Sequence, residues 1–345
     1  MPTQQVRYEI RAALPSDHDA LLALAQHLNS VNLPADSAAV SRLLQRSAES
    51  FQGDALPEPK RKYVFLLYDN QERRAVGTST IVAQLGSRDA PYIYFDVFTE
   101  EKYSRDLNLH FEHEALRIGF SYDGPTELGG LVVDPAYRRA PERLGLCISY
   151  VRFLFIAARR AAFQEQLLAE LLPPLEADGT SHLWNALGRR FTNMSYREAD
   201  RLSHENKDFI RDLFPSAPVY ASLLDEAARS VIGQVGEQTR GVEKMLRRVG
   251  FYYGNRVDPF DGGPHFFAET GQVTLVQRYR ALPVQAVSEP PQSRGLVARF
   301  YDESPYFRAL PADLYMGEEQ LGVSADVLSA LDVQSGDVLH AIPTP

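Results

Sequence analysis

The sequence predicts an α/β (α+β) fold, a mixed sheet flanked by helices, and three observations carry that prediction. Strand-like and helix-like segments alternate through the first part of the chain. A buried strand, an arginine-lined loop and a long apolar helix follow one another from Thr126 onward. The composition is that of a globular chain, 44% apolar and 23% charged over 345 residues, which leaves a sizeable core available.

Each element has a local reason. Val6 to Ala13 alternates apolar and polar residues and reads as a first strand. Pro15-Ser16-Asp17 offers a helix start, after which Leu21, Leu22, Leu24, Ala25 and Leu28 recur at helical spacing. A polar loop over Asn29 to Asp36 leads to a second helical face, Val40, Leu43, Leu44 and Ala48, and a proline-bearing loop covers Gln52 to Arg61. Tyr63 to Tyr68 and Ala75 to Leu85 read as a hairpin about the polar turn Asp69 to Arg74. Tyr92 to Phe98 and His110 to Phe120 add further strands. Leu128 to Val133 is a short apolar run stopped by Asp134-Pro135, because proline fixes φ and restricts the residue before it. Beyond it Arg138, Arg139 and Arg143 line a loop, and from Gly145 the residues Leu146, Ile148, Val151, Leu154, Phe155 and Ala158 mark a helix. Free N–H groups at a helix start, beside three cations and a glycine, suit a phosphate or pyrophosphate. The plainer reading of the same residues is a strand, a solvated basic loop and a helix.

The second half is read in the same way. Gln166 to Leu172 is a strand ended by Pro173-Pro174, and the turn Asp178 to Ser181 caps an amphipathic helix over His182 to Phe191. Arg197 to Phe214 has helical character, Val219 to Leu224 is a short apolar segment, and Ala227 to Val235 and Arg240 to Arg248 are helices, the latter closed by Gly250. Phe251 to Asp258 and Phe266 to Tyr279 read as strands around Phe260-Asp261-Gly262-Gly263-Pro264. The proline-bearing stretch Leu282 to Gly295 reads as a linker to a small β-rich unit with one helix, Ala325 to Leu331. The expected division is therefore 1–200, 201–281 and 282–345.

Several classes are disfavoured. A net charge of -9 does not make a phosphate-tracking surface, so nucleic acid is not an expected partner. The lone Cys147 has no partner for an internal disulfide, and its apolar neighbours mark it for packing. No apolar leader or long apolar run occurs, so no membrane association is expected and the location read from the chain is cytoplasmic. His110 and His113 with Glu112 and Glu114 lack a third ligand at a telling spacing, so no metal is expected.

Longer stretches carry a resemblance. They are RAALPSDHDALLALA near the start, VGTSTIVAQLG at Val76 to Gly86, TELGGLVVDPAYRR at Thr126 to Arg139, and RFLFIAARRAAF from Arg152. LWNALGRRF from Leu183, VIGQVGEQT from Val231 and VDPFDGGP from Val257 continue it. On these motifs the chain resembles the arginine N-succinyltransferase family, which has the Gcn5-related N-acyltransferase fold, here with a C-terminal extension. The resemblance implies an acyl-CoA co-substrate, succinyl-CoA or acetyl-CoA, and a small amine acceptor, the α-amine of arginine or a relative. It implies that Leu131, Val133, Arg138, Arg139, Arg143, Gly145 and Leu146 border the coenzyme. It also allows a homo-oligomer or a paired homologous subunit.

The sequence departs from the family at the acceptor side. The family histidine assigned as proton donor is Gly236 here, and glycine cannot move a proton. A family arginine falls at Leu172, another near Asp96, and a histidine near Lys102. The remaining proton carriers are Glu127, acting through water, Glu237, which adjoins the lost histidine, and His265, whose other reading is a solvated turn residue. The alternative to an active transferase is a non-catalytic homologue that keeps the scaffold.

Overall fold

The computed structural model describes residues 6–27, 33, 35–53, 60–88, 90–176, 179–203, 207–287 and 291–344. In chain order these begin with β1 (Tyr8–Ala12), α1 (His18–Ala25), α2 (Ser37–Gln52), β2 (Lys62–Asp69) and β3 (Arg74–Val82). Then come β4 (Tyr92–Ser104), β5 (Leu109–Ser121), β6 (Thr126–Val133), α3 (Leu144–Ala158) and β7 (Gln166–Glu170). The middle holds α4 (Arg189–Thr192), α5 (Tyr196–Ser203), α6 (Asp208–Leu213), β8 (Val219–Tyr220), α7 (Glu226–Val231) and α8 (Arg240–Arg248). β9 (Tyr252–Val257), β10 (Pro264–Glu269), α9 (Thr274–Gln277), β11 (Arg280–Ala286), β12 (Ser293–Phe300) and β13 (Phe307–Met316) follow. The chain ends on β14 (Leu321–Val323), α10 (Ala325–Leu331) and β15 (Val338–Pro343).

Contacts divide the chain into two units. Unit 1 comprises Met1–Gln84, Thr126–Glu165 and Glu269–Pro345, and unit 2 comprises Leu85–Pro125 and Gln166–Ala268. The expected boundaries at 200 and 281 do not follow this grouping, because residue 200 lies within α5 and 281 within β11.

In unit 1 the strands run β12, β15, β11, β14, β13, β1, β2, β3, β6, and β12 also pairs with β13. The five C-terminal strands thus close a ring of pairings, which leaves no open edge among them. β1 lies antiparallel between β13, with Ile10 opposite Ala309, and β2, with Ile10 opposite Leu67. Asp36 caps α2 by accepting from the Ala39 N–H, as its residue type favours. Leu21, Leu24, Val40 and Leu44 from α1 and α2 bury against Val64, Leu66 and Val132 of the sheet. A second core joins α10 to the ring through Val327, Leu328 and Leu331.

In unit 2 the order is β7, β10, β9, β4, β5, β8. β4 and β5 form a long hairpin in unbroken register from Tyr92 opposite Ser121 to Ser104 opposite Leu109. Trp184 is fully buried and stacks on Phe260 with 5.0 Å between ring centroids.

Two stretches differ from the sequence reading. The stretch 282–295, expected as a linker, carries the end of β11 and the start of β12, with residues 288–290 outside those described. Pro283 sits in β11 at the end of its pairing with β15, opposite Val338, just before the pairing with β14 begins at Val284. The expected strand over Phe266 to Tyr279 ends at Glu269, since Thr270 turns the chain by donating its N–H to the Glu165 carbonyl at 2.8 Å, and α9 follows. Part of the loop expected over Asn29 to Asp36, and Asp178 of the expected cap, lie outside the described residues. Among the described residues, no helix is long and apolar enough to cross a membrane.

Candidate functional site

In unit 1 the chemistry-bearing residues gather where β6 passes into α3. β6 pairs antiparallel with β3, but the register slips: Thr78 faces Val132 while Thr80 faces Gly129. Gly130 and Leu131 together therefore oppose one β3 residue, a bulge, and Gly130 takes φ +56°, which glycine adopts without steric penalty. A bulge of this kind takes backbone groups out of the ladder and re-aims them. Leu131, expected to touch the coenzyme, lies in this bulge.

Beyond Val133 the Asp134 carboxylate accepts from the Ala136 N–H, starting a turn, and Arg74 pairs with Asp134 at 2.8 Å. Arg138 donates from Nε to the Val133 carbonyl at 3.0 Å, which folds it back over the strand end. Arg138, Arg139 and Arg143 are exposed. Arg143 is the residue before α3 and is held left-handed at φ 55°, ψ 48°, an uncommon conformation for a side-chain-bearing residue. The N–H groups of Leu146 and Cys147 both return to the Arg143 carbonyl, so those of Leu144 and Gly145 stand at the open end of the helix. A Cβ built on Gly145 would meet only Val133 Cγ2, at 3.9 Å, so the missing side chain leaves room rather than serving packing.

Arg152 fixes this corner from beneath. It is 2% exposed and donates from Nε to the Ser149 carbonyl at 3.0 Å, from Nη2 to Ser149 Oγ at 2.7 Å, and from Nη1 to the Gly129 carbonyl at 3.3 Å. Burial pulls its pKa down to about 9. The sequence reading missed it, although an arginine inside the apolar run Tyr150 to Ile156 was the available signal. Burial pushes the Cys147 thiol up to about 11, so it is packing rather than a nucleophile. Glu127 is buried in β6, opposite Val82.

Unit 2 holds Gly236, Leu172, Asp96 and Lys102, the positions expected to depart from the family. Gly236 donates its N–H to the Leu172 carbonyl at 2.8 Å, and Glu237 is exposed in the short turn after it. A Cβ on Gly236 would meet the Pro173 carbonyl oxygen at 2.5 Å and that of Leu172 at 2.9 Å, so the backbone has closed over the space a side chain would need. Asp96 is paired with Arg256 at 2.9 Å. His110 and His113 lie along the exposed hairpin with separate partners, His110 near Glu101 and His113 against Tyr220.

His265 is not a solvated turn residue. It sits in β10 with none of its surface exposed, because the strand starts at Pro264, opposite Val257, and carries the ring inward. Its Nδ1 lies 2.6 Å from Tyr92 Oη, and burial lowers its pKa to about 3. The nearby Asp258 accepts from the N–H groups of Phe260 and Asp261, and burial raises its carboxyl to about 6. Burial and the Asp258 charge hold Asp261 well above the usual carboxylate range. A cavity of about 340 Å³ is lined by Gly233 to Val235, by Arg240, Lys244 and Arg247 of α8, and by Tyr253 and Phe266.

A mixed sheet whose bulged strand feeds a basic loop and an open helix start is the arrangement of an N-acyltransferase of the Gcn5-related class. The sequence model of the arginine N-succinyltransferase beta subunit matches residues 8–275. The arginine N-succinyltransferases of Escherichia coli (strain 55989 / EAEC) and Shigella flexneri are each 33% identical over 337 residues, covering 96% of this chain and of their own. The chain belongs to the arginine N-succinyltransferase family, and it is an acyltransferase. A solved structure, arginine/ornithine succinyltransferase subunit AI from Pseudomonas aeruginosa, superposes with a TM-score of 0.84 at 26% identity, over 98% of this chain and 99% of that one.

Proposed function

We propose that the chain transfers a succinyl group from succinyl-CoA to the α-amine of arginine or a related amine, with the acyl-CoA held where β6 meets α3. The observation that carries this reading is the bulge at Gly130 and Leu131 beside an open helix start and three exposed arginines. The open N–H groups of Leu144 and Gly145, with Arg138, Arg139 and Arg143, would take the pyrophosphate, while Leu131, Val133 and Leu146 would border the pantetheine.

The chemistry follows from these groups. A neutral amine attacks the thioester carbon, the carbonyl oxygen gains charge, and the C–S bond breaks to release the coenzyme thiolate. Backbone N–H groups at the bulge would stabilise the oxyanion. Glu127, on the same strand, is the proposed proton acceptor, acting through water. Of the other candidates, Glu237 is exposed, and His265, a ring whose pKa is near 3, is a poor base at neutral pH. The lone Cys147 fits a reducing cytoplasm. For assembly we propose a homo-oligomer or a pair with a homologous subunit, since the Pseudomonas aeruginosa relative is itself a subunit.

The test is an assay of the purified chain with succinyl-CoA and acetyl-CoA against arginine, ornithine and small amines. Succinylation of arginine or ornithine is expected, with Glu127→Gln lowering kcat by about 10²-fold or more. Efficient transfer from acetyl-CoA alone would reassign the donor. Retained coenzyme binding without turnover by any pair would instead identify a non-catalytic homologue.

A further inference from the structure

We propose that Glu170, Asp258 and His265 bind a first-row divalent cation of the zinc or manganese kind. The three come from different places in unit 2: the last residue of β7, the residue after β9, and the second residue of β10. Each offers one ligand atom, and these atoms lie within 4.8 Å of one another. The site does not depend on the acyl-transfer reading, and it differs from the His110 and His113 pair that the sequence brought forward.

The histidine supplies the independent sign of a ligand. Its Nε2 is buried and, among the described residues, makes no hydrogen bond, although a buried polar nitrogen normally has a partner. It points at Glu170, whose Oε1 is 3.6 Å away, too far for a hydrogen bond. The other ring nitrogen faces Tyr92 Oη at 2.6 Å. If Nδ1–H donates to that oxygen, Nε2 carries the lone pair, which is the tautomer that ligates metals, with Tyr92 as its outer support.

The carboxylates complete the set. Both backbone bonds to Asp258 are to Oδ1, at 2.7 and 3.3 Å, which fixes the side chain and leaves Oδ2 for a cation. Glu170 is exposed at a strand end. It must close in, since metal bonds of about 2.0–2.2 Å bring neighbouring ligand atoms nearer than 4.8 Å. The nearby Arg256, which could have supplied the positive charge, is taken up by Asp96 at 2.9 Å. One imidazole nitrogen with two carboxylate oxygens favours zinc- or manganese-type ions over calcium or magnesium, and three protein ligands leave a position for water.

The experiment uses the full, tag-free chain, stripped with chelator and titrated calorimetrically with ZnCl₂ and, separately, MnCl₂, with Co²⁺ absorption as a spectroscopic check. One ion per chain is expected, with a rise in Tm. Asp258 holds a turn and His265 lies in the core, so Glu170→Gln, at an exposed strand end, separates ligation from folding. That variant should keep the wild-type circular dichroism and bind at least about tenfold more weakly, while His265→Gln and Asp258→Asn should lose the Co²⁺ spectrum. Failure of the wild-type chain to bind either metal stoichiometrically overturns the proposal, and so does undiminished binding by Glu170→Gln.

Discussion

Two glycines mark the regions on which the functional reading turns, and their surroundings are opposite. Gly145, at the start of α3, faces open space, with Val133 Cγ2 at 3.9 Å the nearest contact for an added Cβ. Gly236 is hemmed in by the carbonyl oxygens of Pro173 and Leu172 at 2.5 and 2.9 Å. An open glycine beside exposed arginines keeps a place for something from outside. A closed one has no room for a side chain unless backbone moves. Placing a histidine at 236, where the resemblance expects one, is therefore not a simple swap: the side chain would have to push backbone aside before it could move a proton.

Four experiments bear on that contrast, and the largest effect is expected beneath the open region. Arg152 ties the carbonyls of Gly129 and Ser149 together, so Arg152→Ala should lower stability by about 3 kcal/mol in urea unfolding, through a cavity and carbonyls left unsatisfied. A negligible loss would show that the corner is held by other means. Gly236→Ala should destabilise by about 2 kcal/mol through overpacking against backbone, whereas Gly145→Ala should leave stability equal or up to about 1 kcal/mol higher while weakening acyl-CoA binding. Equal behaviour of the two variants would break the comparison outright.

The third experiment probes the interior of unit 1. His340 stacks on Tyr279, bonds its hydroxyl at 2.6 Å, and has its pKa lowered by burial to about 4. The unfolded chain then binds the proton that the folded one refuses. Stability should fall as pH drops from about 6.5 towards 4, with a slope of up to about 1.4 kcal/mol per pH unit from this group, and His340→Gln should remove that slope. An unchanged pH dependence in the variant would show that the ring titrates normally. The smallest effects belong to the exposed cations. Arg138, Arg139 or Arg143 changed singly to Ala should raise Kd for acyl-CoA by about fivefold, roughly 1 kcal/mol, and the difference should shrink at high salt. Salt-independent losses would mean that these residues act through the fold.

The same contrast explains what could be read from the chain. β6, its proline stop, the basic loop and α3 are contiguous, so periodicity and turn chemistry expose them directly. The hairpin of β2 and β3 was legible for the same reason. β11 was not, because its pairing partner β15 lies far along the chain and proline looked like a break. His265 follows a glycine-proline turn signal, which leaves it open as a proton carrier or a solvated turn residue, whereas its burial is set by pairing with β9. The convergence of Glu170, Asp258 and His265 has no local signature at all. Three strand ends bring it together, and nothing in the spacing of those residues announces it.

The order in which the strands of unit 1 are assembled has a consequence for synthesis. All of unit 2 has left the ribosome's catalytic centre once Ala268 is added, whereas β1 meets β13 only after Met316, and the ring around β13 closes with Pro343. Unit 2 is therefore fully synthesised while unit 1 still waits with the edge of its first strand uncovered. The uncovered edge of β1 persists until β13 is made, and it is the natural place for a chaperone to act on the growing chain.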